Sequence, residues 1–400
     1  MKTFKILLWA STALLTANFA LAQTWTQTSA PVTNWISIAS SADGSKLVAA
    51  ANGGFYFNGT NEITLPGPIY TSTNSGATWS QAVNAPDGVW IAVASSADGT
   101  KLMAAVGRNN DAGNQGGGIY TSADAGNTWT QFSVLTNNWV SVASSADGTE
   151  LAAVAQPDFY TSPDSGTTWI TNASPYDRWT SIASSADGKK LAACGGLGTV
   201  LTSTNSGISW ASTNSFGHDS FLGSIASSAD GNTLVVGGSQ IYISKDAGLT
   251  WTASWGMPAR QWKAVASSAD GSKLVAAATA APIYTSSDSG ATWTSNVSPS
   301  TNWTAVASSA DGNKLVAVAN GGGIYTSQFI PLPLINITPT NANLALSWII
   351  PSTNFVLQQS PDLSSWTDMT DTPAFNLTNL QDEVVLSPTN SSGFYRLKTP

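Results

Sequence analysis

The pentapeptide Ser-Ser-Ala-Asp-Gly occurs seven times, with its aspartates at Asp43, Asp98, Asp147, Asp187, Asp230, Asp270 and Asp311. No other feature constrains the fold as tightly. A unit of about 40 residues cannot bury its apolar face alone and must stack on copies of itself. Eight residues before six of these aspartates stands a tryptophan: Trp35, Trp90, Trp139, Trp179, Trp262 and Trp303. The fifth unit has Leu222 there instead.

Each unit reads as four short strands. Trp35 to Ser41 alternates, with Ile36 and Ile38 on one side and Trp35, Ser37 and Ala39 on the other. Ala42-Asp43-Gly44 is a tight turn, with Gly44 free to take positive φ. Leu47 to Ala51 is a second, apolar strand, and Ile69-Tyr70-Thr71-Ser72 a third. A second turn leads to Trp79 and the fourth strand. Four strands in about 40 residues is the period of a propeller blade. Few residues are charged (10%) and no long charged helical stretch occurs, which also favours an all-β chain.

The second turn has its own pattern, Ser-x-Asp/Asn-x-Gly-x-Thr/Ser-Trp, at Ser72–Trp79, Ser122–Trp129, Ser162–Trp169, Ser203–Trp210, Ser244–Trp251 and Ser286–Trp293. Its short acceptor side chain is Asn74, Asp124, Asp164, Asn205, Asp246 or Asp288, placed to bond turn amides. These residues resemble the Asp-box, or bacterial neuraminidase repeat, of sialidase-type propellers. The whole unit looks most like the seven-bladed propellers related to photosystem II assembly and stability factors. The resemblance covers Trp25 to Ser327. It implies a fold and leaves function open, since such turns serve propellers of unrelated roles.

The seventh unit ends at Ile324-Tyr325-Thr326-Ser327 without a fourth strand. Thr24-Trp25-Thr26-Gln27 matches Thr128-Trp129-Thr130-Gln131, so the N-terminal segment is expected to complete the last blade and remove the open sheet edge. Residues 1–22 read as a signal peptide. Lys2 and Lys5 precede an apolar stretch, and Ala20-Leu21-Ala22 suits cleavage before Gln23. The expected domains are the signal at 1–22, a seven-bladed β-propeller at 23–328 and a C-terminal module at 329–400. Pro331 and Pro333 mark the linker. Leu344-Ala345-Leu346-Ser347-Trp348, Phe355-Val356-Leu357-Gln358 and Phe394-Tyr395-Arg396-Leu397 alternate like strands of a small β-sandwich. The tail looks like a module common in exported bacterial proteins, loosely similar to fibronectin type III.

The formal net charge is −8, and loss of Lys2 and Lys5 makes an exported chain more acidic still. Such a surface repels phosphate backbones, so nucleic acid is not an expected partner. No segment after residue 22 is apolar enough to insert in a membrane. Cys194, the one cysteine, lies in an apolar run and reads as an inert buried thiol. One histidine, His218, cannot build a histidine metal cluster. No metal site or cofactor is expected.

The Asp-Gly turns and the second turns share one rim, and their uniformity suggests a structural role. The opposite rim carries variable loops, where function is commonly placed. Tyr56 and Arg108 sit in its longest insertions. Arg178 and Arg260 fall there too, and the ring tryptophans, Trp35 and Trp90 among them, begin strands near it. Their exposure there would suit a sugar or peptide; packing between blades is the other reading, and the stronger one. A sialidase would need three arginines and paired carboxylates. Arg108, Arg178 and Arg260 share the rim with Glu62, Asp87, Asp111, Asp158, Asp177 and Asp219, but no two carboxylates are pinned at a defined separation. The expectation is a secreted or periplasmic, monomeric, non-catalytic scaffold with no catalytic residues, binding a protein, peptide or glycan; a glycan-cleaving enzyme is the alternative.

Overall fold

The computed structural model describes residues 23–59, 61–107, 116–172, 178–216 and 221–329, together with the strands and some turns of the segment that follows. The chain divides into two compact units at Gln328–Phe329. Every regular element described is a β-strand.

In the first unit of the repeat, Thr33–Ser40, Leu47–Ala51, Ile69–Ser72 and Ser80–Gln81 pair in sequence order as an antiparallel meander. The loop between the second and third strands carries an added hairpin, Phe55–Asn58 with Asn61–Thr64. The same meander follows from Trp90–Ser95 through Thr130–Asn137 and recurs along the chain. Four such sheets stand alone as four-stranded units. Three others are joined at their edges by the longer strands Leu274–Ala281 and Lys314–Gly322, which also pair with the first strand of the next unit.

The last meander, Thr301–Ser308, Lys314–Gly322 and Ile324–Gln328, takes its outer strand from the other end of the chain. Thr26 pairs with Thr326, and Gln27 with Tyr325. Trp25 is buried beside Trp303, with ring centroids 6.5 Å apart.

The units are bound in a closed circuit. The amide of Ala42 donates to the carbonyl of Ala97, Ala97 to Ala146, Ala146 to Ala186, Ala186 to Ala229, Ala229 to Ala269, and Ala269 to Ala310; Ala310 then donates back to Ala42 at 2.7 Å. These are the alanines of the repeated pentapeptide. The apolar cores follow the same path. Trp90 packs on Val48, Ala50 and Ile69 of the unit before it, and Trp35 on Val316, Val318 and Ile324 of the last unit. Leu222 fills the tryptophan position against Cys194 and Val200, and Cys194 is buried. The second strands Leu47–Ala51 and Leu151–Ala155, alanine and valine after one leucine, are fully buried, which lets neighbouring sheets approach closely.

Simple alternation along the first strand of each unit does not hold. The register shifts between Trp35 and Ser37, and at the matching places Trp90/Ala92, Trp139/Ser141, Trp179/Ser181, Trp262/Ala264 and Trp303/Ala305. Each shift inserts one extra residue, which re-aims a side chain. As a result Trp35 and Ile38, three apart, are both buried.

In the C-terminal unit, Asn336–Thr340, Asn343–Ile349, Gln381–Leu386 and Ala374–Asn376 form one sheet. Val356–Ser360 pairs with Thr367–Asp368 and Phe394–Lys398 in a second. Leu346, Leu357 and Val384 form its buried core.

Candidate functional site

One rim is occupied by turn chemistry. Asp43 Oδ1 accepts from Ser41 Oγ at 2.6 Å and from the Ser45 amide at 2.9 Å, while Ser41 Oγ takes the Lys46 amide. The same set recurs at Asp98, Asp147 and Asp230. These bonds favour the carboxylate form. The Ser96 hydroxyl, then the Thr100 hydroxyl and amide, hold Asp98 down at about 2. Asp147 and Asp270 lie at about 2 through Ser145 and Ser268, and Asp43 lies lower still through Ser41 and Ser45.

The second turn is built alike. Asp124 accepts from Ser122 Oγ, the Thr128 amide and the Thr128 hydroxyl; Asp164, Asp246 and Asp288 repeat the pattern, while Asn74 and Asn205 accept the amide and donate Nδ2 to the Thr78 and Ser209 hydroxyls. The residue after the acceptor takes positive φ although it is not glycine: Ser75, Ala125, Ser165, Ser206, Ala247 and Ser289. Its amide bonds the Asp-Gly turn of the same unit, as Ser75 to the Ser45 carbonyl at 2.8 Å. The acceptors are thus consumed by the fold.

Trp35 and Trp90 must be removed from the ligand candidates. Both are 0% exposed. Trp35 Nε1 donates to the Pro31 carbonyl and Trp90 Nε1 to the Gly67 carbonyl, and each ring meets a tyrosine edge-on, Tyr70 or Tyr120. A large ring at this position buries more area between sheets than it could in solvent, so packing claims it. Tyr56 lies on the strand Phe55–Asn58, opposite Ile63, and its side chain lies outside the described residues. Arg108 also lies outside them. Arg178 and Arg260 are exposed, in loops that enter first strands. Glu62 pairs with Phe57 on the added hairpin, Asp87 is exposed, and Asp111, Asp177, Asp219 and His218 lie outside the described residues.

The exposed aromatics stand elsewhere on that rim. Phe221 is 49% exposed and Trp255 84%. They occupy the loops leading to Ser224–Ser227 and Trp262–Ser267, which lie at the rim opposite the Asp-Gly turns because strand direction alternates. Phe221 lies across Gly196; a Cβ there would come within 3.2 Å of the ring. Gly196 in turn donates to the Arg178 carbonyl at 2.7 Å. Gly223 sits against Lys263, so the ends of the two loops adjoin. Lys263 is the bulged extra residue of its strand and is exposed where Ile36 and Ile91 pack inward. Phe221, Trp255, Arg260 and Lys263 thus place two exposed aromatics and two exposed cations on the same rim of consecutive units. Trp255 lacks the repeat spacing of the ring tryptophans, and that break in period is its one signal in the sequence. Lys263 is visible as a charge among Ile, Val, Thr and Gly at equivalent positions.

Among the described residues, no group of three or more His, Cys, Asp or Glu is placed to hold a metal, and no helix is long and apolar enough to cross a membrane.

No family model matches the chain. No curated protein matches it either. Solved structures do. A structure of YCF48 bound to D1 peptide aligns with a TM-score of 0.55 at 13% identity, over 77% of this chain and 97% of that one. YCF48 from Cyanidioschyzon merolae gives 0.55 at 14% identity, over 76% and 98%. The GH74 xyloglucanase from Xanthomonas campestris gives 0.59 at 14%, over 82% of this chain and 59% of the enzyme. These neighbours are β-propeller proteins, and together with the repeated antiparallel sheets they make the fold of this chain all-β and of propeller type.

Proposed function

We propose that this chain is an exported, non-catalytic propeller of seven blades with Asp-box turns, followed by a small β-sandwich resembling fibronectin type III. The seven-membered alanine circuit supports the blade count, and the two C-terminal sheets over one core support the sandwich. Its function is to hold a peptide segment of another protein on the variable rim. The observation that carries this reading is the exposure of Phe221, Trp255, Arg260 and Lys263 in the first-strand approaches of two consecutive units on that rim. The structural likeness to a propeller bound to a peptide supports it. Aromatic faces with cations suit apolar side chains and backbone carbonyls or carboxylates. Trp and Arg are also the side chains that most often anchor interfaces.

The likeness to a xyloglucanase favours one second reading, a glycan-cleaving enzyme. Both are tested together. Binding to an immobilised random-peptide library is measured for the intact chain, and release of reducing ends from xyloglucan is followed in parallel. Trp255→Ala and Phe221→Ala should each weaken captured peptides about tenfold or more, with stability changed by less than about 0.5 kcal/mol. Asp187→Ala should leave affinity unchanged. Reducing-end release above background, or loss of binding only in Asp187→Ala, would overturn the peptide reading.

A further inference from the structure

On the Asp-Gly rim, opposite the peptide surface, clefts run between four pairs of adjoining units, each from the end of a third strand to the next Asp-Gly turn. Between the last and first units it measures about 60 Å³, and between the first and second, and the fourth and fifth, about 10 Å³. Between the second and third units it opens to about 310 Å³. The tighter clefts are lined by Thr73, Thr204 or Gln328, the residue after the serine at the end of the third strand. Ala123 holds that place in the open one, and the cleft extends outward to Thr128 and Thr130.

The lysine of this cleft also differs. Lys46, Lys190, Lys273 and Lys314 each donate to the next unit's aspartate carbonyl: Asp98, Asp230, Asp311 and Asp43. Lys101 holds the same position, but its described hydrogen bond is a long one, 3.3 Å to Ser165 Oγ. An ammonium has three protons to give, so Lys101 keeps donor capacity toward the cleft.

We propose that this cleft binds a single uncharged pyranose ring. Leu102 and Leu151 offer an apolar floor, and Thr121, Thr130 and Lys101 offer hydroxyl and ammonium partners. The volume falls at the lower end of small-molecule sites, about 300–1,000 Å³. The charges here are already partnered: Thr128 bonds the Asp124 carboxylate, and Asp147 lies near Lys101 and offsets its charge, so the cleft offers no unpartnered charge to favour an ionic sugar.

Saturation-transfer NMR titrations of the intact chain with xylose, glucose, glucuronate and glucosamine test this. Xylose or glucose should bind saturably and ahead of both charged sugars. Ala123→Phe, at an exposed position that leaves the core untouched, should fill the cleft and weaken binding about tenfold or more. Lys101→Met should weaken it similarly. Thr204→Phe, the same filling change in a cleft that is already closed, should have no effect. Absence of saturable binding by either neutral sugar, preference for a charged one, or undiminished binding in Ala123→Phe would overturn the assignment.

Discussion

Glu150 occupies the place that lysine holds in five of the seven units, three residues after the aspartate. Burial raises its carboxyl above the ordinary range, and the charges of Asp147, Asp164 and Asp187 raise it further. The native state therefore resists its ionisation. That cost is absent below the unfolded value, about 4.3, and sets in as pH rises through the higher folded one. Glu150→Lys should reverse it and supply the bond to the Asp187 carbonyl that Lys46 makes to Asp98. The expected gain is about 0.5–1 kcal/mol at pH 7. It should shrink at about pH 3, where Glu150 is almost wholly protonated in both states of the parent. Urea unfolding of both chains at the two pH values checks this; an equal difference at both would refute the electrostatic origin. Such a site is readable only by aligning the repeat with itself. Trp35 and Trp90 show the opposite limit, since a ring that could meet a ligand and a ring that packs between sheets are the same residue until burial is known. Trp255 was no easier to find, because exposure of one tryptophan among 17 has no composition signal.

At the level of elements, most of the fold was legible. Period, turn chemistry and the match of Thr24–Gln27 to Thr128–Gln131 foretold the meander and its borrowed outer strand, because each rests on local rules that repeat. The bulge in the first strand was not legible, since it depends on how one strand meets the next across the ring. The hairpin within the first unit was also missed; Asn and Gly there suggest a loop, and its pairing leaves little mark in composition. The borrowed strand is only Thr26–Gln27, so its hold rests largely on Trp25. Trp25→Ala should destabilise by about 3–5 kcal/mol. Trp25→Phe should lose much less, because the indole Nε1 has no hydrogen-bond partner to forfeit. Equal losses in the two variants, by chemical denaturation, would place the stabilisation elsewhere.

Over the whole molecule, the turn aspartates act in parallel. With Asp98, Asp147 and Asp270 held at about 2, well below the ordinary 3.9 or so, the native state binds fewer protons than the unfolded chain between those values. The stability this lends is present above about pH 4 and is lost as pH falls toward 2. The melting temperature should stay level from pH 7 to about 5 and then fall steeply; a flat profile down to pH 2 would contradict it. The circuit that closes on Ala310 and Ala42 has a further consequence. Thr304 Oγ1 meets the Trp35 carbonyl across 269 residues of sequence. A chain emerging from synthesis cannot make that contact until its last repeat has been released, so the first unit waits, with one flank of its sheet unmatched, while all the units between are made. Of all the joints between adjoining units this one closes the longest stretch of chain, and during that interval the exposed flank of the first unit is where a holding chaperone would find its substrate.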